Sequence, residues 1–264
     1  LLSCQPMGFY PPWVLIGEAR RRGVIVLPPD VNQSGATYTV ENGAIRVSLR
    51  RVKGMEEKAL QALLAARARG PFTSLADLKA RVSLPADVRE NLILAGACSA
   101  FNPNRRALLW EDKLGRAPAN VPDFSLGEKI FHEWDLLGFS LSGHPLACLR
   151  PRLEREGAVA IQAARRLPAG RAVTVAGLPI RPHRPPTRSG RTVAFFSLED
   201  ETGLIDVTVF EEVYRRYGHL LFSGSFAPLK VHGRLERRGA APSLTATEIK
   251  ACQPDAGFAC RFFR

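Results

Sequence analysis

TVAFFSLEDETGLIDVTVF, residues 192–210, decides how the second half of this chain folds. Apolar and polar residues alternate on both sides of LEDETG, the pattern of two half-buried strands joined by a turn. The alternation recurs in RAVTVAGLPI before it and in FAPLKVHGRL and PSLTATEI after it, with the helical piece EEVYRRYGHLL between the third and fourth strands. Five strands with a helix in that place follow the order of an OB barrel. Alternation sends Ala194, Phe196, Leu198, Ile205, Val207, Val209, Leu229, Val231 and Leu235 inward, and turns Phe195, Thr208, Lys230, His232 and Arg234 outward.

That outer face carries what single-stranded nucleic acid needs, an aromatic ring to stack on a base and cations to follow the phosphates. Between the first two strands, RPHRPPTRSGR adds four arginines, and Pro182, Pro185 and Pro186 keep the loop extended. The candidate single-strand set is therefore Arg181, Arg184, Arg188, Arg191, Phe195, Lys230, His232 and Arg234. The competing readings are a merely solvated loop and a Phe195 that packs on a neighbouring domain.

Upstream, residues 44–156 read as mostly helical, after a mixed start of a helix in PPWVLIGEARRRG, a strand in VIVL and a hairpin turn at Asn42-Gly43. In RRVKGMEEKALQALLAAR, residues 50–67, Met55, Ala59, Leu60, Leu63 and Leu64 recur at helical spacing, so Glu56 to Ala66 forms an amphipathic helix. Gly54 just before it permits a tight turn with positive φ, which would point the N–H groups of Met55, Glu56 and Glu57 outward at the positive end of the helix. A phosphate oxygen fits such a turn, with Lys53, Arg50 and Arg51 beside it. The candidate duplex-backbone set is Arg50, Arg51, Lys53, Gly54, Met55 and Glu56. The plain alternative is a solvated turn before a core helix, and Glu56 and Glu57 would repel a phosphate. A second helix, turn and helix follow: Ser74 and Asp77 start the first helix, VSLPAD makes the turn, and Gly96 ends the second helix.

The net charge of +12 agrees with a polyanionic partner. Five scattered cysteines with no C-x-x-C pair point to reduced thiols and no metal centre. No apolar run approaches the roughly 20 residues of a membrane span, and the N-terminus lacks a signal-peptide pattern, so a cytoplasmic location without membrane contact is expected. Leu1 falls in what reads as the middle of an element, which suggests a piece of a longer polypeptide.

Catalytic chemistry finds little support. Glu199 to Glu201 is the densest acidic cluster, but it sits at the predicted turn, where Asp, Thr and Gly are turn residues. His144, before Pro145, reads as a capping or packing residue. Ser125 and Glu128 form a capping box, with Ile130, Phe131, Trp134 and Leu137 as the buried stripe of the helix that follows.

The segments QPMGFYPPWVLIGEARRRGVIVLPPDVNQS, LRRVKGMEEKALQALLAAR, GPFTSLADL, LILAGACSAF, NRRALLW, LLGFSLSGHPL and FFSLEDETGLIDVTVF stand here in the order found in the bacterial C-family DNA polymerases. Over residues 1 to about 250 the chain resembles the C-terminal third of a DNA polymerase III alpha subunit, and more closely the shorter error-prone branch. The resemblance implies an α+β multidomain chain, a mostly helical tandem helix-hairpin-helix region followed by an all-β OB-fold barrel. Residues 1–43 would be the tail of the polymerase fingers, 44–101 the helix-hairpin-helix domain on duplex DNA, 102–170 a helical connector, 171–251 the OB domain near the single-stranded template, and 252–264 a tail.

In that family, nucleotidyl transfer uses palm aspartates that bind Mg²⁺, and those motifs have no counterpart here. The chain is thus expected to bind DNA together with the rest of a polymerase, with no cofactor, metal ligand or catalytic residue of its own. Where the family hairpin often repeats its glycine, this chain has Glu56. The clamp peptide of the alpha subunits has only RALLW, Arg106 to Trp110, as a counterpart; it lacks the leading Gln, which counts against a sliding clamp as partner. A stand-alone, non-catalytic nucleic-acid-binding accessory protein is the other reading.

Overall fold

In the computed structural model, residues 1–5, 10–187, 190–222, 227–238 and 241–252 are described, and the chain forms two compact units, 1–143 and 144–264. In the first unit, Pro12–Arg21 (α1) precedes a small sheet of Val26–Leu27 (β1), Thr39–Glu41 (β2) and Ala44–Arg46 (β3), in the order β1-β3-β2. Asn42 and Gly43, with φ of 50° and 80°, make the turn that folds β3 back on β2. The helical region therefore begins later than residue 44, because this turn commits Ala44–Arg46 to pairing. A 3₁₀ turn at Leu49–Arg51 leads through Gly54 to Glu57–Arg67 (α2), followed by Leu75–Arg81 (α3), Ala86–Leu94 (α4), Arg105–Leu114 (α5) and Leu126–Leu137 (α6).

The predicted apolar stripe of α2 is realised in Leu60 and Leu63, both wholly buried, and Met55 is buried just before the helix. Ser74 caps α3 by accepting the Asp77 amide at 3.0 Å, while the Asp77 carboxylate accepts the Thr73 amide at 3.1 Å. Ser74→Ala should therefore cost about 1 kcal/mol. All three tryptophans, Trp13, Trp110 and Trp134, lie in this unit, so a shifted urea midpoint of tryptophan fluorescence with an unchanged slope measures the loss. The capping box of Ser125 and Glu128 starts α6 as expected. Its buried residues are Ile130, Glu133, Leu136 and Leu137, whereas Phe131 and Trp134 are only half-buried.

In the second unit, Arg150–Arg155 (α7) and Ile161–Ala164 (α8) precede the strands Ala172–His183 (β4), Val193–Glu199 (β5), Leu204–Phe210 (β6), Leu229–Arg238 (β7) and Ala241–Ala251 (β8). They close a barrel in the order β4-β5-β6-β8-β7, with Glu211–Phe222 (α9) between β6 and β7. All nine residues expected in the interior are buried there, so period-two reading located the barrel core. β4 departs from alternation, with Ala176, Gly177 and Leu178 buried in succession. A Cβ at Gly177 would lie 2.6 Å from Leu198 Cγ, so the strand passes β5 too closely for any side chain. β4 serves two neighbours, pairing its first half with β7 (Thr174 opposite His232) and its second half with β5 (Ile180 opposite Ser197).

Candidate nucleic-acid interface

The hairpin before α2 has the backbone expected of it but not the free amides. Gly54 has φ of 81°. The Met55 amide, however, donates to the Val52 carbonyl at 3.0 Å, and the Glu56 amide to that of Gly54 at 2.9 Å. Lys53 is held on both sides of its peptide unit, its amide donating to Leu136 O at 3.0 Å and its carbonyl accepting from Asn91 Nδ2 at 2.9 Å. Of the three amides expected to face outward, only that of Glu57, the first residue of α2, is not used by these turn bonds. The expected phosphate nest is corrected accordingly: the turn is closed by its own local hydrogen bonds, and spacing announces a glycine turn without showing which carbonyls its amides meet.

The cations divide in the same way. The half-buried Arg51 donates to the Leu137 carbonyl at the end of α6, and with the buried Met55 it supports the fold rather than facing solvent. Lys53 and Arg50 are exposed, the first 3.0 Å from Asp135 and the second 2.9 Å from Glu57. Solvent-exposed pairs of this kind contribute only about 0–1 kcal/mol, so an incoming phosphate can replace the carboxylates. Glu56 is exposed and its side chain makes no cap.

On the barrel, the seven described residues of the expected single-strand set fall into two separate groups. Phe195 on β5 stands opposite Thr208 of β6 and stacks against His183 at the end of β4, ring centroids 5.8 Å apart. Arg181, which with Pro182 forms the irregularity in β4 between Ile180 and His183, takes a left-handed φ of 47°. Arg184 follows, its guanidinium carbon 5.6 Å from the Tyr214 ring centre on α9. Arg191 is exposed beside Phe210 and Arg215 in a groove of about 580 Å³. Arg188 lies outside the described residues.

The second group sits on β7, between β4 and β8: Lys230 pairs with Glu156 at 2.6 Å, His232 meets the Thr174 hydroxyl at 2.9 Å, and Arg234 donates to the Gly170 carbonyl at 3.0 Å. Alternation could place these residues outward but could not tell which side of a closed barrel each strand occupies. Phe210, absent from the expected set, is 45% exposed and stands opposite Val193. The signal was present, since Phe210 follows Thr208 by two residues on one strand.

The remaining candidates are structural. Asp200 Oδ1 accepts the Thr202 and Gly203 amides at 2.7 and 3.0 Å, and Oδ2 accepts the Ile161 amide and Arg150 Nη2, both at 2.8 Å. Glu201 binds the same arginine. This acidic pair closes a turn, as expected, and with both Asp200 oxygens occupied it does not fit a Mg²⁺ site. His144 caps the 3₁₀ turn Pro145–Cys148 by accepting the Leu146 amide at 3.1 Å. RALLW forms part of α5 with Ala107 and Leu108 buried, while Trp110 is exposed. No helix among the described residues is long and apolar enough to cross a membrane.

Residues 23–108 match the family described as helix-hairpin-helix motif, and residues 169–251 match the OB-fold nucleic acid binding domain. The error-prone DNA polymerase of Symbiobacterium thermophilum is 41% identical over 95% of this chain and 29% of its own length. The error-prone DNA polymerases of Anaeromyxobacter dehalogenans strain 2CP-1 and of Bdellovibrio bacteriovorus are 35% and 32% identical, over 100% and 94% of this chain and 25% and 27% of their own lengths. The chain thus spans roughly a quarter of the length of these relatives.

Proposed function

Because this chain belongs to the C-family bacterial DNA polymerases and matches their error-prone members over a part of their length, we propose that it is the DNA-gripping portion of such an enzyme. The carrying observation is the pairing, in one chain, of a helix-hairpin-helix region with an OB-fold nucleic-acid-binding barrel. In this reading the exposed cations of the hairpin before α2 hold the phosphates of the duplex, and the β5–β6 face holds the single-stranded template. Arg50 and Lys53 are the cations that exchange their carboxylate partners for phosphates, a contact blind to sequence. Phe195, with the exposed His183 beside it on β4, supplies the stacking platform, and Arg184 and Arg191 track the strand.

Nucleotidyl transfer, with its Mg²⁺, belongs in this reading to other parts of the parent polymerase, in the cytoplasm. The role assigned here is to hold primer and template so that those groups can act.

Titration of fluorescent primer–template duplex and of oligo(dT) over a range of salt tests the reading. Lys53→Ala should lower the salt slope for duplex by about 1 with little change in sequence preference. Phe195→Ala should weaken oligo(dT) binding by about 1–3 kcal/mol and spare the duplex. Binding of neither substrate with a salt dependence would sink the proposal.

A further inference from the structure

Lys230, which the sequence places with Phe195, instead lines a separate groove of about 570 Å³ between α7, the C-terminal half of α9 and the paired ends of β7 and β8. The floor is apolar, made by Tyr217 and Leu220 of α9 with Ile249 of β8. Cys252 also lines it, and burial pushes its thiol up to about 11, so the floor adds no negative charge near neutrality. The rim carries four cations, Arg152, Arg216, Lys230 and Lys250, with His219 beside them.

A single carboxylate, Glu156, lines the groove, 2.6 Å from Lys230 and 2.8 Å from Arg152. Glu212 and Glu248 pair with Arg216 and Lys250 at 3.1 and 2.7 Å but are not part of the lining. The side chains of Arg216 and Lys250 remain 67% and 59% exposed, so their heads are free to turn toward an anion. Cations gathered over an apolar floor draw an anion that also has an apolar face, and the volume suits one small ligand.

We propose that this groove is a second nucleotide-phosphate site, distinct from the β5–β6 face. The phosphate lies among Arg216, Lys230 and Lys250, and the sugar or base lies against Tyr217. Two sources offer this chemistry, the backbone of a strand that has already crossed the barrel and a free nucleotide. Only the first rests on the single-strand reading given above.

The test uses the whole chain and the double variant Arg216→Ala/Lys250→Ala, with Arg216→Lys/Lys250→Arg as the charge-preserving control. Binding is followed for a short and a long oligo(dT), of about 6 and about 24 nucleotides, for thymidine monophosphate and for a poly-glutamate peptide. With the strand as source, the alanine variant lowers the salt slope on the long oligo by about 1.4, at roughly 0.7 per phosphate, and leaves the short one unchanged. With a free nucleotide as source, it loses thymidine monophosphate binding and keeps both oligo slopes. In either case the control variant behaves as the wild type. The proposal is overturned if the alanine variant binds all nucleotide ligands as the wild type does, or if only poly-glutamate binding changes, which would mark an acidic-peptide site. A wild-type chain that binds neither oligo would count against the single-strand reading, while the monophosphate measurement would still decide the groove.

Discussion

Glu133→Ala should destabilise the first unit by about 3–5 kcal/mol, the cost of breaking a buried ion pair from one side. Glu133 is wholly buried on α6 and meets Arg105 Nη2 at 2.7 Å. Its two oxygens also accept from the Ser140 and Ser142 hydroxyls at 2.8 and 2.7 Å and from the Leu141 and Ser142 amides, both at 2.7 Å. Arg20 grips the same loop from its carbonyl side, at Ser140 and Leu141. Removing the carboxylate would strand the Arg105 charge and unpair two hydroxyls and two amides at once. Since whole domains are stable by only about 5–15 kcal/mol, such a loss brings the unit close to unfolding.

Tryptophan fluorescence during urea titration reads this directly, with Trp134 one residue from the site. A double change to Glu133→Leu/Arg105→Met should recover much of the loss, and a single change costing under about 1 kcal/mol would refute the assignment. The pair also sets an acid limit. Burial pushes the Glu133 carboxyl up, but the Arg105 charge and the Ser142 hydrogen bonds outweigh it and hold the group below the usual 4.5. Its contribution is therefore complete above 4.5 and is lost as pH falls through the lowered folded value.

The second large effect is expected at Gly233→Ala. This residue lies at the bulge where β7 shifts register against β8. An added Cβ would collide with the Thr245 carbonyl oxygen, lie 2.9 Å from the carbonyl carbon and 3.1 Å from Ala246 Cα. All three atoms are main chain, so no side chain can swing aside, and the strand pair itself must separate. The cost should reach about 3 kcal/mol, the upper range for overpacking. Tryptophan does not report on the barrel, so hydrogen exchange at the β7 and β8 amides is the measurement. Protection equal to that of the wild type would show that the strands can part there freely.

Both sites show where sequence reading stopped. Alternation in residues 192–210 and 229–235 was enough to find the barrel interior, because burial on one face of a strand is a local pattern. The box at Ser125 and Glu128 was legible for the same reason, with partners three residues apart. Glu133 was not, since a charged residue on an amphipathic helix reads as its wet face and Arg105 belongs to another helix. The hairpin at Gly54 was half legible: glycine announced the turn, but the carbonyls that occupy the Met55 and Glu56 amides follow from how the turn closes. The division of the outward barrel residues into two groups needed the pairing of β4 with both β5 and β7.

That shared strand also gives the interface a history. β5 and β6 meet across the turn at residues 200–203 and can zip together locally. β4 finds β7 only after β5, β6 and α9 have intervened in the chain, a contact whose loop entropy slows it. During refolding, the β5–β6 pair that carries Phe195 should therefore form before β4 closes the barrel against β7.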